Sequence, residues 1–431
     1  MGSTPDFKRP RGTQDILPDE AAKWRALELV MARHAESFGF GEIRTPIFEE
    51  TELYTRTSGA SSDIVRKEMY TFLDRGGRSM TLRPEGTAGV ARAYLENGLA
   101  SAPQPVKLWY LGPLFRYDRP QAGRLRQHTQ FGVEVFGAAS PLADLEVVLV
   151  AHDLLARLGL ERVVFRLNSI GCPACRPAYR ERLVAYFGAA GDRLCPDCRE
   201  RVGHNPLRVF DCKSEDCRAL LDGAPLTVES LCPECEAHHL RVGEGLAALG
   251  VPREDDPRLV RGLDYYTRTV FEAVYQPPEG AAGAQHVLCG GGRYDGLVEE
   301  LGGPPTPGVG FGLGVDRLVA TLEREGLAVP PAGEPEGPPV FVATTGGPSE
   351  VEGLALARRL RGAGFRVVTD LLGRSLKAQF RAADRAGARV VLVGEDELAR
   401  RVAAVRDLDS GVQTEVPVDR VVEVLAEWRR R

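Results

Sequence analysis

Arginine gathers in this sequence where regular structure breaks. Within 108–137, LWYLGPLFRYDRPQAGRLRQHTQFGVEVFG, two apolar, β-prone runs flank a loop carrying Arg116, Arg119, Arg124 and Arg126. Pro120 and Gly123 exclude regular structure there. Guanidinium groups grip phosphate oxygens in pairs, so the loop suits a phosphate-bearing ligand. The simpler alternative is a solvated hairpin with a charged tip. In the second run, alternation puts Gln130, Gly132 and Glu134 on one face and Phe131, Val133 and Val135 on the other. Gly132 leaves a gap between an amide and a carboxylate, as a small polar ligand would need. In TLRPEGT, Arg83, Glu85 and Thr87 share one side ahead of a helix starting near Thr87. A buried glutamate is costly unless paired, so Glu85 is either exposed or receives a cation, most naturally an ammonium. Arg261 stands beside the bend at Gly262, followed by the hydroxyls of Tyr265 and Tyr266. In CGGGRYDGL, three glycines before Arg293 and Tyr294 let backbone approach a ligand closely; the run is neither a dinucleotide fingerprint nor a P-loop. Arg317 falls near the start of a helix that follows a glycine-rich strand, and helix N-termini favour anions.

A second set of residues offers metal chemistry. Eight of the nine cysteines form four close pairs, Cys172/Cys175, Cys195/Cys198, Cys212/Cys217 and Cys232/Cys235. Three pairs are C-x-x-C with a proline inside. Zinc takes four thiolates in a tetrahedron, and each C-x-x-C turn supplies two. The order along the chain suggests one site from the first two pairs and another from the last two. The alternative is a set of reduced thiols packed as small hydrophobes. Cys289, in a β-like run, reads as core.

These residues need elements to hold them. Asp19 can cap a helix over 20–38, with Trp24, Leu27 and Met31 at helical spacing. A strand over 42–48 is interrupted by Pro46, which fits an edge or interface. Extended pieces follow at 63–73 and 79–82, then an amphipathic helix at 141–158 and strands at 163–168 and 266–275. The Pro/Gly-rich stretch 326–339 is the clearest domain boundary. Beyond it, strands at 340–343, 366–369, 390–393 and 403–407 mix with helices at 349–361, 375–386 and 418–428, a small α/β domain. There Arg374, Lys377, Arg381 and Arg385 recur at steps of three and four, one basic face with Asp384 as its only acid. That pattern suits nucleic-acid phosphate, against the plainer reading of a solvated stripe. The division expected is 1–170 and 251–325 for a core in two parts, 171–250 for a cysteine-rich insertion, 326–339 for the linker and 340–431 for the C-terminal domain.

The totals agree with an ordinary soluble globular protein. The chain has 431 residues, 43% apolar and 27% charged, with a net charge of −5. That length allows about three domains, and the charge argues against wholesale basic coating of nucleic acid while leaving local patches. No apolar run reaches transmembrane length, and the first residues lack the apolar core of a signal peptide, so the expected compartment is the cytoplasm, with no disulfide framework.

Taken together, the motifs resemble the histidyl-tRNA synthetase family of class II aminoacyl-tRNA synthetases, nearly end to end. The stretch around Pro46 resembles the first class II motif, GPLFRYDRP…RQHTQFGVEVFG the second and GVGFGLGVDRL the third. TLRPEGT, RGLDYYTRTVFE and GGGRYDGL point to the histidine branch. The resemblance implies an α+β catalytic domain on a six-stranded antiparallel sheet, a mostly helical cysteine-rich insertion against the tRNA acceptor stem, and a C-terminal α/β anticodon-binding domain, assembled as a homodimer. It implies that L-histidine and ATP form histidyl-adenylate and pyrophosphate, and that the histidyl group then passes to tRNA(His). Arg116 and Arg261 would be the catalytic pair on the α-phosphate. Asp118, Arg124, His128 and Arg317 would join Arg116 in holding ATP, with Mg²⁺ across the β- and γ-phosphates. The histidine set would be Glu85, Gly86, Thr87, Gln130, Glu134, Arg261, Tyr265, Tyr266 and Tyr294, with Glu85 and Gln130 on the ammonium, Thr87 and Tyr294 nearby, and Glu134 and Tyr266 on the imidazole. Arg119 and Gln121 would meet the acceptor end. Zinc would be structural. Three residues depart from the family pattern: Asp118 and Asp316 where glutamate is usual, and His128 where phenylalanine usually faces the adenine; altered ATP affinity with retained activity is the expectation. A histidine-sensing regulatory paralogue and a tRNA-independent adenylate-forming ligase are the rival readings. The paralogue commonly loses the catalytic arginines and the anticodon domain, both present here.

Overall fold

The computed structural model describes residues 7–59, 62–119, 124–278, 286–333, 337–408 and 410–429. The first helix, α1 (Pro18–Ser37), starts two residues before the expected first helical position, Glu20, because Pro18, lacking an N–H, opens the first turn. The expected single strand at 42–48 is two: β1 (Gly41–Glu42) and β2 (Phe48–Glu50). Pro46 cannot donate to a ladder, and the chain crosses there from the edge of one sheet to another. After α2 (Thr51–Thr57), the expected extended stretch at 63–73 begins instead as a π-helical turn at Ile64–Glu68. Ser62 starts that turn, its hydroxyl accepting the Val65 N–H at 3.3 Å. β3 (Tyr70–Leu73) and β4 (Ser79–Leu82) complete a three-stranded sheet with β2, and α3 (Thr87–Glu96) follows.

The main sheet is built on β5 (Val106–Phe115) and β6 (Gln127–Phe136), the two arms of the arginine hairpin. It is completed by β7 (Val163–Ser169), β8 (Arg253–Asp255), β9 (Thr267–Tyr275), β10 (His286–Arg293) and β11 (Gly308–Gly314). Its order is β1-β5-β6-β11-β10-β9-β7-β8. The six strands from β5 to β7 are antiparallel, and β1 and β8 lie parallel at the edges. That is the antiparallel core the motifs imply.

Against this sheet lies α4 (Pro141–Arg157). Periodicity suggests a helix with one wet face, yet Leu142 through Ala151 are buried without a break. The reason is a second cover: α1 packs on it, and the C-terminal domain adds Leu354 and Leu371 to the same core. Two acids are buried with it. Asp144 is gripped by the fully buried Arg293, which also donates to the Ala138 carbonyl at 2.9 Å. Glu146 accepts from Lys107 at 2.5 Å and from Arg361 at 3.2 Å. Burial alone would raise the Asp144 carboxyl; Arg293 and His238 beside it hold it well below the usual range.

Between β7 and β8 run α5 (Arg176–Ala190), α6 (Pro196–His204), α7 (Glu215–Ala219) and α8 (Pro233–Ala248). The first three share a small core of their own around Tyr179, Leu183 and Phe187, whereas Val242 and Leu246 of α8 pack into the main core. After α9 (Leu297–Glu300) and α10 (Val315–Arg324), the C-terminal sheet forms from β12 (Val340–Thr344), β13 (Val367–Thr369), β14 (Arg389–Val393), β15 (Val402–Arg406) and β16 (Gln413–Pro417). Its order is β13-β12-β14-β15-β16, covered by α11 (Pro348–Gly362), α12 (Leu376–Arg385), α13 (Glu395–Arg400) and α14 (Val421–Arg429). β16 and α13, both short and polar, were not expected from the sequence.

Candidate active site

A cleft of about 840 Å³ opens over the main sheet, and both Arg116 and Arg261 line it. Glu85, Thr87, Asp118, Arg124, His128, Gln130, Tyr265, Tyr266 and Arg317 line it with them. Residues spread over most of the first three hundred positions therefore face one space. The floor is made flat by absent side chains. A Cβ on Gly290 would overlap the Arg261 guanidinium, one on Gly310 would overlap Glu134, and one on Gly312 would overlap Gln130. The glycines of β10 and β11 thus make room for functional side chains to lie along the sheet. The sequence suggests a gap at Gly132 for a ligand; instead the Tyr110 ring fills it, packed against Gly86 and Gly132. Tyr110 pairs across the hairpin with Gly132 and donates from its hydroxyl to Gln130 Oε1 at 2.8 Å.

Arg116 donates from Nε to the Pro84 carbonyl at 2.7 Å, which ties the second motif to the loop carrying Glu85. Arg261 reaches Glu272 through Nη1, while its buried Nε has no hydrogen-bond partner among the described residues. Burial would weaken the Arg261 charge, but Tyr266, Glu272 and Asp211 hold its pKa above the ordinary arginine value. Arg124 pairs with Asp118 at 3.1 Å. Asp118 also accepts the Arg119 backbone N–H, and Arg119 is exposed at the hairpin tip. Gln121 lies outside the described residues. Asp316 accepts the Thr129 N–H at 2.6 Å and Gln14 at 2.9 Å. His128 is driven down to about 3 by burial and by Arg116 and Arg317, so its ring is neutral at physiological pH.

Glu85 is buried, and its carboxylate caps α3 by accepting the Thr87 and Ala88 N–H groups at 2.7 and 2.8 Å. Tyr265 donates to it at 3.4 Å. Burial nonetheless raises the Glu85 pKa. The expectation put Thr87 and Tyr294 near the ammonium; both hydroxyls instead donate to Glu134, Thr87 at 2.7 Å and Tyr294 on the other oxygen. β6 alternation sends Glu134 inward under the cleft, where Tyr294 of β10 can reach it. Glu134 is pushed up to about 8 by burial and by the Glu85 charge, against the pull of those two donors.

The eight paired cysteines do form two clusters, with a different partition from the one chain order suggests. Cys172, Cys175, Cys232 and Cys235 make one; Cys195, Cys198, Cys212 and Cys217 make the other. The pairing is nested because the chain leaves the core after β7 and returns to it in α8, so the outermost pairs meet at the neck. Within each cluster all sulfurs lie within 4.8 Å of one another. Neighbouring sulfurs stand 3.8 Å apart at Cys172–Cys232 and at Cys195–Cys212. Zn–S bonds of about 2.3 Å give a tetrahedron with edges of about 3.8 Å. Cys289 is buried in the main core.

In the C-terminal domain, Lys377, Arg381 and Arg385 stand exposed on α12. Arg374 does not share their face: it precedes the helix and is bound to Asp370 at 2.5 Å. Sequence reasoning missed Tyr110, Asp63, Glu272, Arg208 and Asp211 in the cleft wall. Counting the hairpin register outward from its loop would have set Tyr110 opposite Gly132; nothing local marks the others.

An antiparallel sheet bearing the three class motifs, with a helical insertion and a separate α/β domain behind it, is the catalytic architecture of a class II aminoacyl-tRNA synthetase. Comparison with known proteins narrows this. A sequence profile described as histidyl-tRNA synthetase matches residues 12–172 and 235–318, and one described as an anticodon binding domain matches 340–428. Histidine–tRNA ligases of Desulforamulus reducens and Desulforudis audaxviator are each 53% identical, over 96% and 97% of this chain and 97% and 98% of theirs. The apo histidyl-tRNA synthetase of S. aureus superposes with a TM-score of 0.62 at 39% identity, covering 97% of this chain and 99% of that one. The chain belongs to the histidyl-tRNA synthetase family.

Proposed function

We propose that this chain is a histidine–tRNA ligase, activating L-histidine with ATP and passing the histidyl group to the 3′ end of tRNA(His). The observation that carries this reading is the convergence of Arg116, Arg261 and Arg317 on one cleft beside Glu85 and Gln130. Attack of a carboxylate on a phosphate joins two anions, so the site must supply positive charge as the transition state forms. Arg116 and Arg261 take the α-phosphate as the catalytic pair, and the Arg261 Nε, without a partner among the described residues, is available to such an oxygen. Arg124 and Arg317 hold the remaining phosphates. His128, being neutral, stacks on adenine without adding charge, and Asp118 orients Arg124. Glu85 and Gln130 bind the ammonium, with Gly86 leaving room for Tyr110 beside them. Glu134, steadied by Thr87 and Tyr294, takes one imidazole nitrogen and Tyr266 the other, while Tyr265 steadies Glu85. A pocket bonding both nitrogens rejects analogues that lack them. Mg²⁺ bound with ATP would neutralise charge on its phosphates. Asp118, Glu272 and Asp316 are engaged by protein partners, which fits an ion held mainly by phosphate oxygens and water.

Zinc fits both cysteine clusters, on the sulfur spacing. Arg119 at the hairpin tip meets the acceptor end together with Gln121, two residues on in the sequence, and Lys377, Arg381 and Arg385 bind tRNA from the C-terminal domain; Arg374, held by Asp370, braces the turn before α12. The working form is a cytoplasmic homodimer. Ile47, Phe48, Phe72 and Leu73 are exposed on and around the three-stranded sheet beside the first motif, an apolar surface suited to a second subunit. No described helix is long and apolar enough to cross a membrane.

The test is histidine-dependent ATP–pyrophosphate exchange followed by charging of bulk tRNA. Exchange and charging both occurring is the expected result; exchange without charging would favour a tRNA-independent ligase, and neither would favour a regulatory paralogue. Arg261→His should lower exchange by orders of magnitude with the oligomeric state intact, since the loss falls on transition-state charge. Normal exchange in that variant would remove Arg261 from the catalytic role.

A further inference from the structure

The catalytic sheet does not enclose the cleft alone. One wall comes from the cysteine-rich insertion, where Arg201, Arg208, Asp211 and Lys213 face the space above Arg261. Arg208 sits on a 3₁₀ turn, Pro206–Asp211, between Cys198 and Cys212. The cluster of Cys195, Cys198, Cys212 and Cys217 therefore pins both ends of the short segment that carries it. Its side chain is only 12% exposed, and its guanidinium serves three acceptors. It donates to Asp211 Oδ2 at 2.7 Å, to the Arg261 backbone carbonyl at 3.0 Å and to Asp63 Oδ2 at 3.3 Å. Asp63 also accepts from Arg201 at 2.8 Å, and Asn205 donates to Asp264 at 2.7 Å. The insertion thus holds both the 261–264 bend and the turn at Asp63.

We propose that Arg208 is a positioning residue for adenylate formation: supplied by the insertion, it fixes the backbone of Arg261 against Asp63 and so sets where the Arg261 guanidinium meets the α-phosphate. The proposal rests on the reading of the cleft as an adenylating site. Residues 261–266 carry no strand or helix ladder of their own, so their position is set by such contacts. Gly262 is open toward Arg208, where a Cβ would stand 3.4 Å from Nη1. A planar guanidinium offers five donors in a rigid fork and can hold three acceptors together, which a lysine ammonium on a flexible stem cannot do with the same geometry. Misplacing a catalytic charge by about 1 Å costs roughly a hundredfold in rate.

The test compares histidine-dependent ATP–pyrophosphate exchange in the full-length wild type, Arg208→Ala, Arg208→Lys, Asp63→Ala, the Arg208→Ala/Asp63→Ala double variant and, as control, Arg199→Ala. Arg199 belongs to the same insertion, where it pairs with the exposed Asp192. For Arg208→Ala, kcat should fall about 30- to 100-fold, with KM for ATP and histidine within about threefold and the thermal midpoint and metal content unchanged. Arg208→Lys should fail to rescue it. The double variant should lose no more than Arg208→Ala alone, because one contact network is broken once. Wild-type kcat in Arg208→Ala overturns the proposal. So does a loss that comes with a lowered thermal midpoint or lost metal, which marks a merely structural arginine, and so does full rescue by lysine. Absence of exchange in the wild type itself would instead overturn the functional reading.

Discussion

Glu134 is the residue whose surroundings and proposed task are most tightly linked. It is fully buried with two hydroxyls donating to its two oxygens, and burial still keeps its proton on up to about pH 8. An imidazole N–H arriving as a further donor favours the ionised carboxylate, so histidine binding should release a proton from this group. The sign follows from linkage: a ligand that prefers the deprotonated form binds more tightly as pH rises toward the pKa. Histidine affinity measured by calorimetry should therefore strengthen about fivefold between pH 7 and pH 8, an interval in which the free imidazole's own titration contributes less than about twofold. Glu134→Gln should flatten that dependence. A wild-type affinity that is level or weakens over this interval would remove Glu134 from the imidazole. Glu85 was legible as a carboxylate that is either exposed or paired with a cation, because burying that charge alone is costly. That it caps α3 with two backbone amides was not, since the sequence does not say how deep the residue sits.

Among the elements, the insertion is the part where chain order misleads. Adjacent pairs along the sequence look like natural partners, but an excursion that leaves and rejoins one core brings its two ends together first. Cys172 and Cys175 precede α5, Cys232 and Cys235 open α8, and they meet at the neck while the inner four meet further along the excursion, where Cys195 and Cys212 line the cleft. Nested pairing predicts which variants fail together. Cys212→Ser should lose one zinc of two by metal analysis and leave the site at Cys172, Cys175, Cys232 and Cys235 loaded. Loss of both metals together, or an unchanged content of two, would contradict two independent centres. α4 teaches a related lesson. Its apolar spacing marks a helix correctly, yet its acids Asp144 and Glu146 are buried rather than turned to water. Each has a cationic partner distant in sequence, Arg293 for one and Lys107 with Arg361 for the other.

At the scale of the whole molecule, the C-terminal domain is seated on the catalytic core through Glu146, which accepts from Arg361 and from the Thr369 hydroxyl at 2.8 Å. This sets α12 at a defined place relative to the cleft, as a tRNA read at two distant points requires. Replacing Lys377, Arg381 and Arg385 together with alanine should weaken tRNA binding and reduce the slope of log K against log salt by about 2 to 3. ATP–pyrophosphate exchange should be untouched. An unaltered salt slope would place the tRNA elsewhere on the domain. The sequence by itself determined the residue types of the site, the alternation that shares out the faces of β6, the glycine runs and the C-terminal α/β pattern. Those features are local, fixed by backbone period and by what each side chain can bond. Only the tertiary structure decided that Tyr110 fills the gap at Gly132, that the cysteines pair in nested fashion, that Arg374 leaves the basic face for Asp370, and that Arg208 reaches the carbonyl of Arg261. Each of these joins residues whose meeting depends on how separate elements pack, and packing contacts leave no period in the chain to be read.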